Sequence, residues 1–273
     1  MNSSTRALLD LIGSGITTYD LSVPMQQGMP QSPNHPEYRL TMPRRHGDNV
    51  RADGGSAAND LLVTGTHVGT HVDALGHVSH CGELHGGVDA DDAQLSGRLT
   101  THGIDEIEPM VTRGILLDVP AALGIDACTP GYEITTDDLD RTVTAQDTEP
   151  RAGDVVLIRS GWGRRWDSAD DFTGHDDGVP GVSEAGAHWL ADRDLRAVGA
   201  DTIAFECLKP GSGHSLLPAH RVLLVEAGIN IIETLALETI AADAVHEFLF
   251  VMAPLNLVGA TGSPVRPLAL VAP

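Results

Sequence analysis

The sequence predicts a mixed α/β fold, with a mixed β-sheet flanked by helices, as a single domain over residues 1–273. Three observations predict this class. Hydrophobic residues make up 41 % and charged residues 20 % of the chain, which is the composition of a globular protein. Short apolar runs rich in Val, Ile and Leu, several of them ending at Gly, Pro or Asp, are typical of strands. These runs cluster in the first half and alternate with helical patterns in the second half.

The predicted elements follow the chain in this order. An amphipathic helix over residues 1–15 is followed by strands at 16–24, 37–42, 61–68, 114–119, 154–159, 197–205, 229–233 and 248–254. Helices are predicted at 136–146, 183–193, 219–227 and 235–240. Thr135 and Ser183 supply N-capping side chains for the first two of these helices. The Pro- and Gln-rich stretch 25–36 and the acidic stretch 163–178 predict surface loops.

The charge balance excludes two classes of partner. The chain has 17 Lys and Arg residues against 38 Asp and Glu residues, a formal net charge of −21. Phosphate contacts and anionic membranes both need clustered basic residues, so neither a nucleic acid nor a membrane surface is expected. No apolar run is long enough to span a bilayer, and the N-terminus is a poor signal peptide. Three cysteines without a C-x-x-C pair indicate a reducing, cytoplasmic location.

Four residues between 64 and 80 stand out as metal ligands: His67, His71, Asp73 and His77. Imidazole and carboxylate groups bind zinc, manganese or iron in open catalytic sites. In a straight strand His67 and His71 would lie roughly 13 Å apart, near the limit for sharing one ion. A glycine at position 69 permits a bend, so we expect an extended segment kinked there, with His67, His71 and Asp73 converging.

Distant ligands are expected at His220 and Glu233. Glu233 ends a predicted buried strand, where a carboxylate is costly unless it is paired or bound to a metal. His220 opens a predicted helix, from which its side chain can point into a cleft. The other histidines of the cluster region, His80 and His85, are expected to take no part in the site.

The segment His67-Val-Gly-Thr-His71-Val-Asp73-Ala-Leu-Gly-His77 resembles the H-x-G-T-H-x-D-x-x-x-H signature of the metal-dependent cyclase family, which includes arylformamidases and isatin hydrolases. Weaker matches extend over nearly the whole chain in the family's order: Tyr19–Ser22, Arg113–Asp118, Gly153–Trp162, Pro180–Ser183 and Gly262–Pro267. The resemblance implies a swivelling β/β/α domain. It also implies assembly into a homodimer or homotetramer, and a small-molecule substrate.

The resemblance implies a role for each site residue. His67, His71 and Asp73 would bind a first metal ion. His220 and Glu233 would complete that site or hold a second ion, with Asp73 as a bridge. His77 would act as general base and then as general acid. An oxygen-rich ligand set favours Mn²⁺, with Zn²⁺ next.

The implied reaction is hydrolysis of a cyclic or aryl amide by an activated water, as in isatin hydrolase. Three alternatives stay open: deformylation of N-formylkynurenine, a biosynthetic cyclisation or dehydration at the same metal, and a metal-binding protein without turnover. Leu75 stands where many formamidases have Pro, and the chain is longer than compact formamidases. Both departures leave the identity of the substrate open.

Several other residues are candidates for substrate contacts. Trp162, Trp166 and the loop Met25–Pro33 are candidates for an apolar pocket wall, although a core position is the commoner role of a tryptophan. Arg159 is suited either to a substrate carboxylate or to Asp118. A serine nucleophile is not expected, because Ser160 lacks the G-x-S-x-G context.

Overall fold

The computed structural model describes Arg6, Leu9, Asp10 and residues 12–272. Of the helix predicted over residues 1–15, the residues Arg6, Leu9, Asp10, Ile12 and Gly13 are helical, whereas Ser14 and Gly15 are not. Residues 1–5, 7, 8 and 11 of that prediction lie outside the described part. The α/β class, with a large mixed sheet flanked by helices, is confirmed. The three cysteines are free thiols, as expected.

The described residues contain strands β1 (Thr17–Asp20), β2 (Arg39–Arg44), β3 (Asn59–Val63), β4 (His71–Asp73), β5 (Glu83–Leu84), β6 (Val88–Asp89), β7 (Gln94–Leu95), β8 (Arg98–Leu99), β9 (Met110–Asp118), β10 (Glu133–Ile134), β11 (Val155–Arg159), β12 (Gly181–Val182), β13 (Ala197–Ala200), β14 (Asn230–Glu233), β15 (Glu247–Met252), β16 (Gly262–Pro264) and β17 (Leu268–Val271). Nine of them form one sheet in the order β1-β17-β15-β9-β11-β13-β14-β4-β16. The four central strands, β9, β11, β13 and β14, run parallel, and the strands on both sides of them are antiparallel.

The α-helices span Val119–Leu123, Thr136–Gln146, Ala169–Thr173, Glu184–Ala191, Pro218–His220 and Glu238–Ala242. The helix that starts at Pro218 continues as a π-helical turn over Arg221–Ala227. Three 3₁₀ turns lie at His85–Gly87, Ile104–Glu106 and Trp162–Arg165. The expected capping side chains are present, because Thr135 accepts from the backbone N–H of Asp138 and Ser183 accepts from that of Gly186.

The central strands are buried on both faces, which explains why they read as continuous apolar runs. Along β9, Ile115 and Leu117 pack with the helices on one face, whereas Leu116 faces the opposite layer together with Leu157 of β11. The core therefore has two layers separated by the sheet. Its parallel strands all end at the same edge, where Asp118 and Arg159 are paired across the sheet.

Several predicted boundaries are wrong, and the strand predicted at 16–24 ends already at Asp20. The strand predicted at 61–68 ends at Val63, because the chain turns before the histidine cluster, and the strand predicted at 197–205 ends at Ala200. The helix predicted at 235–240 is formed by Glu238–Ala242. The acidic stretch 163–178 is a surface excursion only in part, since a short helix places Phe172 in a small cluster with Trp162.

Strands β2 and β3 form a separate two-stranded hairpin that does not join the large sheet. Among the described residues, no helix has the length and apolar character needed to cross a bilayer.

Candidate metal centre

Strand register brings His71, Asp73 and Glu233 together near one edge of the large sheet. His71 and Asp73 both lie on β4, two residues apart, so their side chains share a face of the sheet. Glu233 at the end of β14 is the direct cross-strand neighbour of His71. The predicted bend is present at Gly69, whose φ of 67° lies in the left-handed region. It brings the rings of His67 and His71 to a centroid separation of 5.3 Å.

His71 is oriented by its own backbone. Its Nδ1 lies 2.8 Å from the carbonyl oxygen of Gly69, so Nδ1 carries the proton and donates it to that oxygen. The other ring nitrogen, Nε2, therefore presents a lone pair. This Nε2 lies 3.4 Å from Oε2 of Glu233 and 3.6 Å from Oδ1 of Asp73.

His220 is oriented by a buried carboxylate. Its Nδ1 donates to Oε2 of Glu206 at 2.6 Å, and Glu206 is only 1 % exposed. The Nε2 atom of His220 consequently points the other way, 3.3 Å from Oε1 of Glu233 and 3.5 Å from Oδ2 of Asp73. A carboxylate behind a ligating histidine fixes its tautomer and raises its basicity.

The four separations around Asp73 and Glu233 fit a metal ion. At 3.3–3.6 Å they exceed the usual N–H···O range of about 2.7–3.2 Å. Two ligand atoms that each lie about 2.0–2.2 Å from one cation can be roughly 3.3–3.6 Å apart, as the two atoms of each of these pairs are. In addition, Oδ2 of Asp73 is buried and has no hydrogen-bond partner among the described residues. A buried carboxylate oxygen is costly in that state, so the donor set calls for a cation.

His67 and His77 also lie next to Asp73. Nδ1 of His67 is 2.7 Å from Oδ1 of Asp73, and its Nε2 is 2.9 Å from the hydroxyl of Thr261. The rings of His67 and His77 stack with centroids 3.9 Å apart. His67, Asp73 and His77 form a second group with metal-ligand spacing, which shares Asp73 with the group of His71 and Glu233. The arrangement therefore offers room for one ion, or for two ions bridged by Asp73.

A glycine permits this packing around His67. A Cβ atom at Gly262 of β16 would lie 2.5 Å from Cε1 of His67, which no real contact allows. Only a residue without a side chain fits on the strand beside that ring.

The electrostatics of the cluster keep its carboxylates ionised. Burial raises the pKa of Asp73, but the imidazoles of His77 and His67 outweigh burial and hold this pKa well below its usual range. Burial also opposes ionisation of Glu233, but the neighbouring imidazoles of His220 and His71 outweigh burial and lower its pKa to about 2. Two buried anionic groups at one point favour a positive charge between them.

His77 differs from the other imidazoles. Burial lowers its pKa to about 4, and the nearby His67 and His220 act in the same direction against the pull of Asp73. The side chain is therefore neutral at neutral pH and able to accept a proton. By contrast, Glu206 and the other carboxylates raise the pKa of His220 well above its usual value, against the effect of burial.

A cavity of about 260 Å³ opens onto the cluster. Its walls come from the loop around Pro30–His35, from the cluster itself and from residues of the 203–217 region. No Arg or Lys lines this cavity among the described residues. The part of the predicted loop Met25–Pro33 that reaches the cavity is Pro30, Gln31 and Ser32.

Other substrate-contact candidates lie elsewhere. Trp162 is a core residue whose Nε1 donates to the carbonyl of Phe172, and Trp166 packs edge-on against the Phe172 ring. Neither tryptophan lines the cavity at the cluster. Arg159 is buried and pairs with Asp118 at 2.7 Å and with Glu238 at 2.8 Å, so it is a structural group.

Three further side chains lie outside the site, as expected. Ser160 donates to Oδ1 of Asp201, which fits the structural role expected of this serine. His80 is exposed, and His85 bonds to the backbone carbonyl of Val225.

Sequence reasoning missed three groups that contact the cluster. Glu206 orients His220, Thr261 contacts His67, and His35 stacks over His67 at 5.4 Å. A signal existed for Glu206, because it is an acidic residue directly after the apolar run Ile203–Phe205 and therefore needs a buried partner. The sequence carries no comparable signal for Thr261.

Comparisons of sequence and of fold with known proteins assign this chain to a family. The Cyclase family model matches residues 19–207, which is more than half of the chain. The chain belongs to the cyclase family. Cyclase-like protein 3 of Oryza sativa subsp. japonica is 30 % identical over 227 residues, 78 % of this chain and 66 % of the relative. The alignment thus spans slightly less than two thirds of that plant relative.

Two further cyclase-family proteins are similar over most of the chain. The isatin hydrolase of Roseibium aggregatum is 26 % identical over 226 residues, covering 81 % of this chain and 77 % of the relative. A crystal structure described as a novel cyclase superposes with a TM-score of 0.84 at 28 % identity, covering 98 % of this chain and 93 % of the other.

Proposed function

We propose that this cyclase-family chain is a metal-dependent hydrolase that opens a cyclic amide of the isatin type. The observation that carries the proposal is the metal-ligand spacing of His71, Asp73 and Glu233, beside which His220 approaches both carboxylates and Oδ2 of Asp73 has no hydrogen-bond partner. The similarity to an isatin hydrolase supports this substrate class.

His71, Asp73, His220 and Glu233 would hold the cation, and His67 would support Asp73 or contribute to a second ion. Such a cation lowers the pKa of a coordinated water from 15.7 to about 7 and polarises a carbonyl group. Two carboxylates in the donor set favour Mn²⁺ over Zn²⁺. Glu206 would keep Nδ1 of His220 protonated, and the Gly69 carbonyl would do the same for His71.

His77 is the proposed proton carrier. It is neutral at neutral pH and lies beside the cluster on the His67 side. A ring nitrogen of His77 would accept a proton from the attacking water as the C–O bond forms at the amide carbon. The same nitrogen would return that proton to the leaving nitrogen as the C–N bond breaks. Ring opening adds one water and gives a carboxylic acid and a free amine, and the acid then releases its proton to solvent at neutral pH to become the carboxylate.

The cavity suits an uncharged substrate. Its lining contains histidines, neutral side chains and the carboxylate of Glu233, but no Arg or Lys among the described residues. An anionic substrate would therefore find no guanidinium or ammonium partner there. A neutral cyclic amide suits this environment, and the anionic product finds no guanidinium or ammonium group in the described lining to retain it.

The test is isatin ring opening, followed by absorbance, with the protein loaded separately with Mn²⁺ and Zn²⁺. We expect opening that stops on chelation, is lost in His71→Ala and is retained in His80→Ala, which changes an exposed histidine of the same segment. Folded, metal-loaded protein that leaves isatin intact would contradict the proposal. N-formylkynurenine tested in parallel separates the formamidase alternative, and metal binding without turnover on either amide would indicate a non-catalytic protein.

A further inference from the structure

The cavity at the metal centre shares a wall with a second, larger cavity. The residues that line both of them are Gln31, Ser32, Asn34, Ile203 and His214. The second cavity, here called the side cavity, has a volume of about 660 Å³, against about 260 Å³ at the cluster. None of the cluster residues, all of which the structure describes, lines the side cavity. The two cavities meet along the shared side chains, so a molecule held at the cluster can extend into the side cavity.

The side cavity has an apolar floor. Met29, Ile203 and Leu208 supply this floor, and each of these residues is at most 8 % exposed. Ile203 and Leu208 also belong to the small core cluster that contains Trp162 and Phe172, so packing fixes the floor before any ligand binds. A preformed apolar surface can bind a ligand group without the cost of ordering its own side chains.

The rim of the side cavity is polar. Its exposed residues include Asn34, Asp170, His175 and Ser215. Among the described residues, no Lys or Arg lines the side cavity, and Asp170 is the single acid of its lining. An anionic group would lose hydration there without gaining a guanidinium or ammonium partner. An apolar floor under a polar rim is therefore suited to an uncharged, apolar ligand group.

We infer that the side cavity is a second part of the substrate site and binds an apolar, uncharged arm of the substrate. This inference rests on the proposed function, which puts the reacting carbonyl of a cyclic amide at the cluster. The substrate class is then a cyclic amide that carries an alkyl or aryl substituent and is larger than isatin itself. Ile203 lines both cavities and would contact the ring together with the first atoms of the arm.

The test compares isatins that carry a methyl or a butyl group, placed at each carbon of the aromatic ring in turn, on the metal-loaded wild-type chain. Each methylene group that leaves water strengthens binding roughly three- to fourfold. At one ring carbon at least, the KM of the butyl compound should therefore be at least roughly tenfold below that of the methyl compound. The kcat values should agree within about threefold, because the arm is bound equally before and during the reaction.

A filled side cavity should remove this preference. Ala169 is a half-buried residue of the helix Ala169–Thr173 and lines the side cavity, so Ala169→Trp places a bulky ring in it. The advantage of the butyl compound over the methyl compound should disappear in this variant. Ala185→Trp makes the same change at an exposed residue of the helix Glu184–Ala191 that lines neither cavity, and should keep the advantage. Circular dichroism shows whether both variants are folded, and the wild-type comparison decides alone if Ala169→Trp is not.

Three results would overturn the inference. They are a butyl group that improves KM at no ring carbon, an advantage of the butyl compound that persists in folded Ala169→Trp, and a carboxybutyl compound that is preferred to the butyl compound.

Failure of the proposed function is distinguishable from failure of this inference. If the wild-type chain opens no isatin at all, the proposed function is wrong, and calorimetry with oxindoles, which keep the cyclic amide and need no turnover, tests the side cavity by itself. Butyloxindole should then bind at least roughly tenfold more tightly than methyloxindole. Equal binding of the two oxindoles would overturn the inference as well.

Discussion

Residues 39–63 and residues 64–77 are adjacent in the chain but have opposite environments. The hairpin has no buried side chain, whereas His67, His71 and Asp73 are buried almost completely. Each stretch nevertheless contains one group that has no partner among the other described residues. In the hairpin it is exposed apolar surface, and in the cluster it is a carboxylate oxygen without a hydrogen-bond partner. Contiguous apolar surface commonly marks an interaction site, and a buried carboxylate oxygen is costly unless it is paired or bound to a cation.

The two stretches also differ in what holds them. Strand β4 lies between β14 and β16. Its Val72 is fully buried in the core layer that also contains Leu116 and Leu157. The hairpin depends on its own ladder alone. Substitutions in the buried stretch should therefore change chemistry and stability directly, whereas those in the hairpin should change both less.

The largest expected effect concerns His77. His77→Ala removes the neutral proton carrier and should lower turnover roughly 10²–10⁴-fold. Bound metal, measured by elemental analysis of the purified protein, should stay at the wild-type level, because four other side chains surround the site. Loss of metal together with activity would make His77 a ligand of the His67 and Asp73 group instead.

The next prediction compares two leucines truncated in the same way. Leu157 of β11 is fully buried, and Leu61 of β3 in the hairpin is 54 % exposed. Leu157→Ala should lower the free energy of unfolding by about 2–5 kcal/mol, since it leaves a cavity in the core. Leu61→Ala should change it by less than about 0.5 kcal/mol. Denaturant unfolding of both variants measures the difference, and equal losses would show that Leu61 is packed in solution.

The sequence predicted much of the buried region because the information there is local. The runs 114–119 and 154–159 read as strands because both of their faces are buried. His67, His71 and Asp73 lie within seven residues, so one bend at Gly69 is enough to gather them. The contact between Glu206 and His220 was missed, because the two residues are fourteen positions apart and only the folded chain brings the helix Pro218–His220 next to Glu206.

The exposed region was less predictable from its sequence. The runs at 37–42 and 61–68 have the same local pattern as strands of the large sheet, and nothing in them shows that they pair only with each other. Trp162 shows the converse case. A core position was the commoner expectation for this tryptophan, and it is confirmed, because the chain returns at Phe172 and buries it.

A smaller effect is expected from the carboxylate behind His220. Glu206→Gln keeps an oxygen that can accept from Nδ1 of His220 but removes the negative charge. Metal affinity should fall roughly 10–100-fold, as for other carboxylates that support a ligating histidine. Competition with a coloured chelator measures it. The control is Glu226→Gln, which changes an exposed carboxylate in the π-helical turn Arg221–Ala227 and should leave metal affinity unchanged. An unchanged affinity in Glu206→Gln would show that Glu206 only packs against His220.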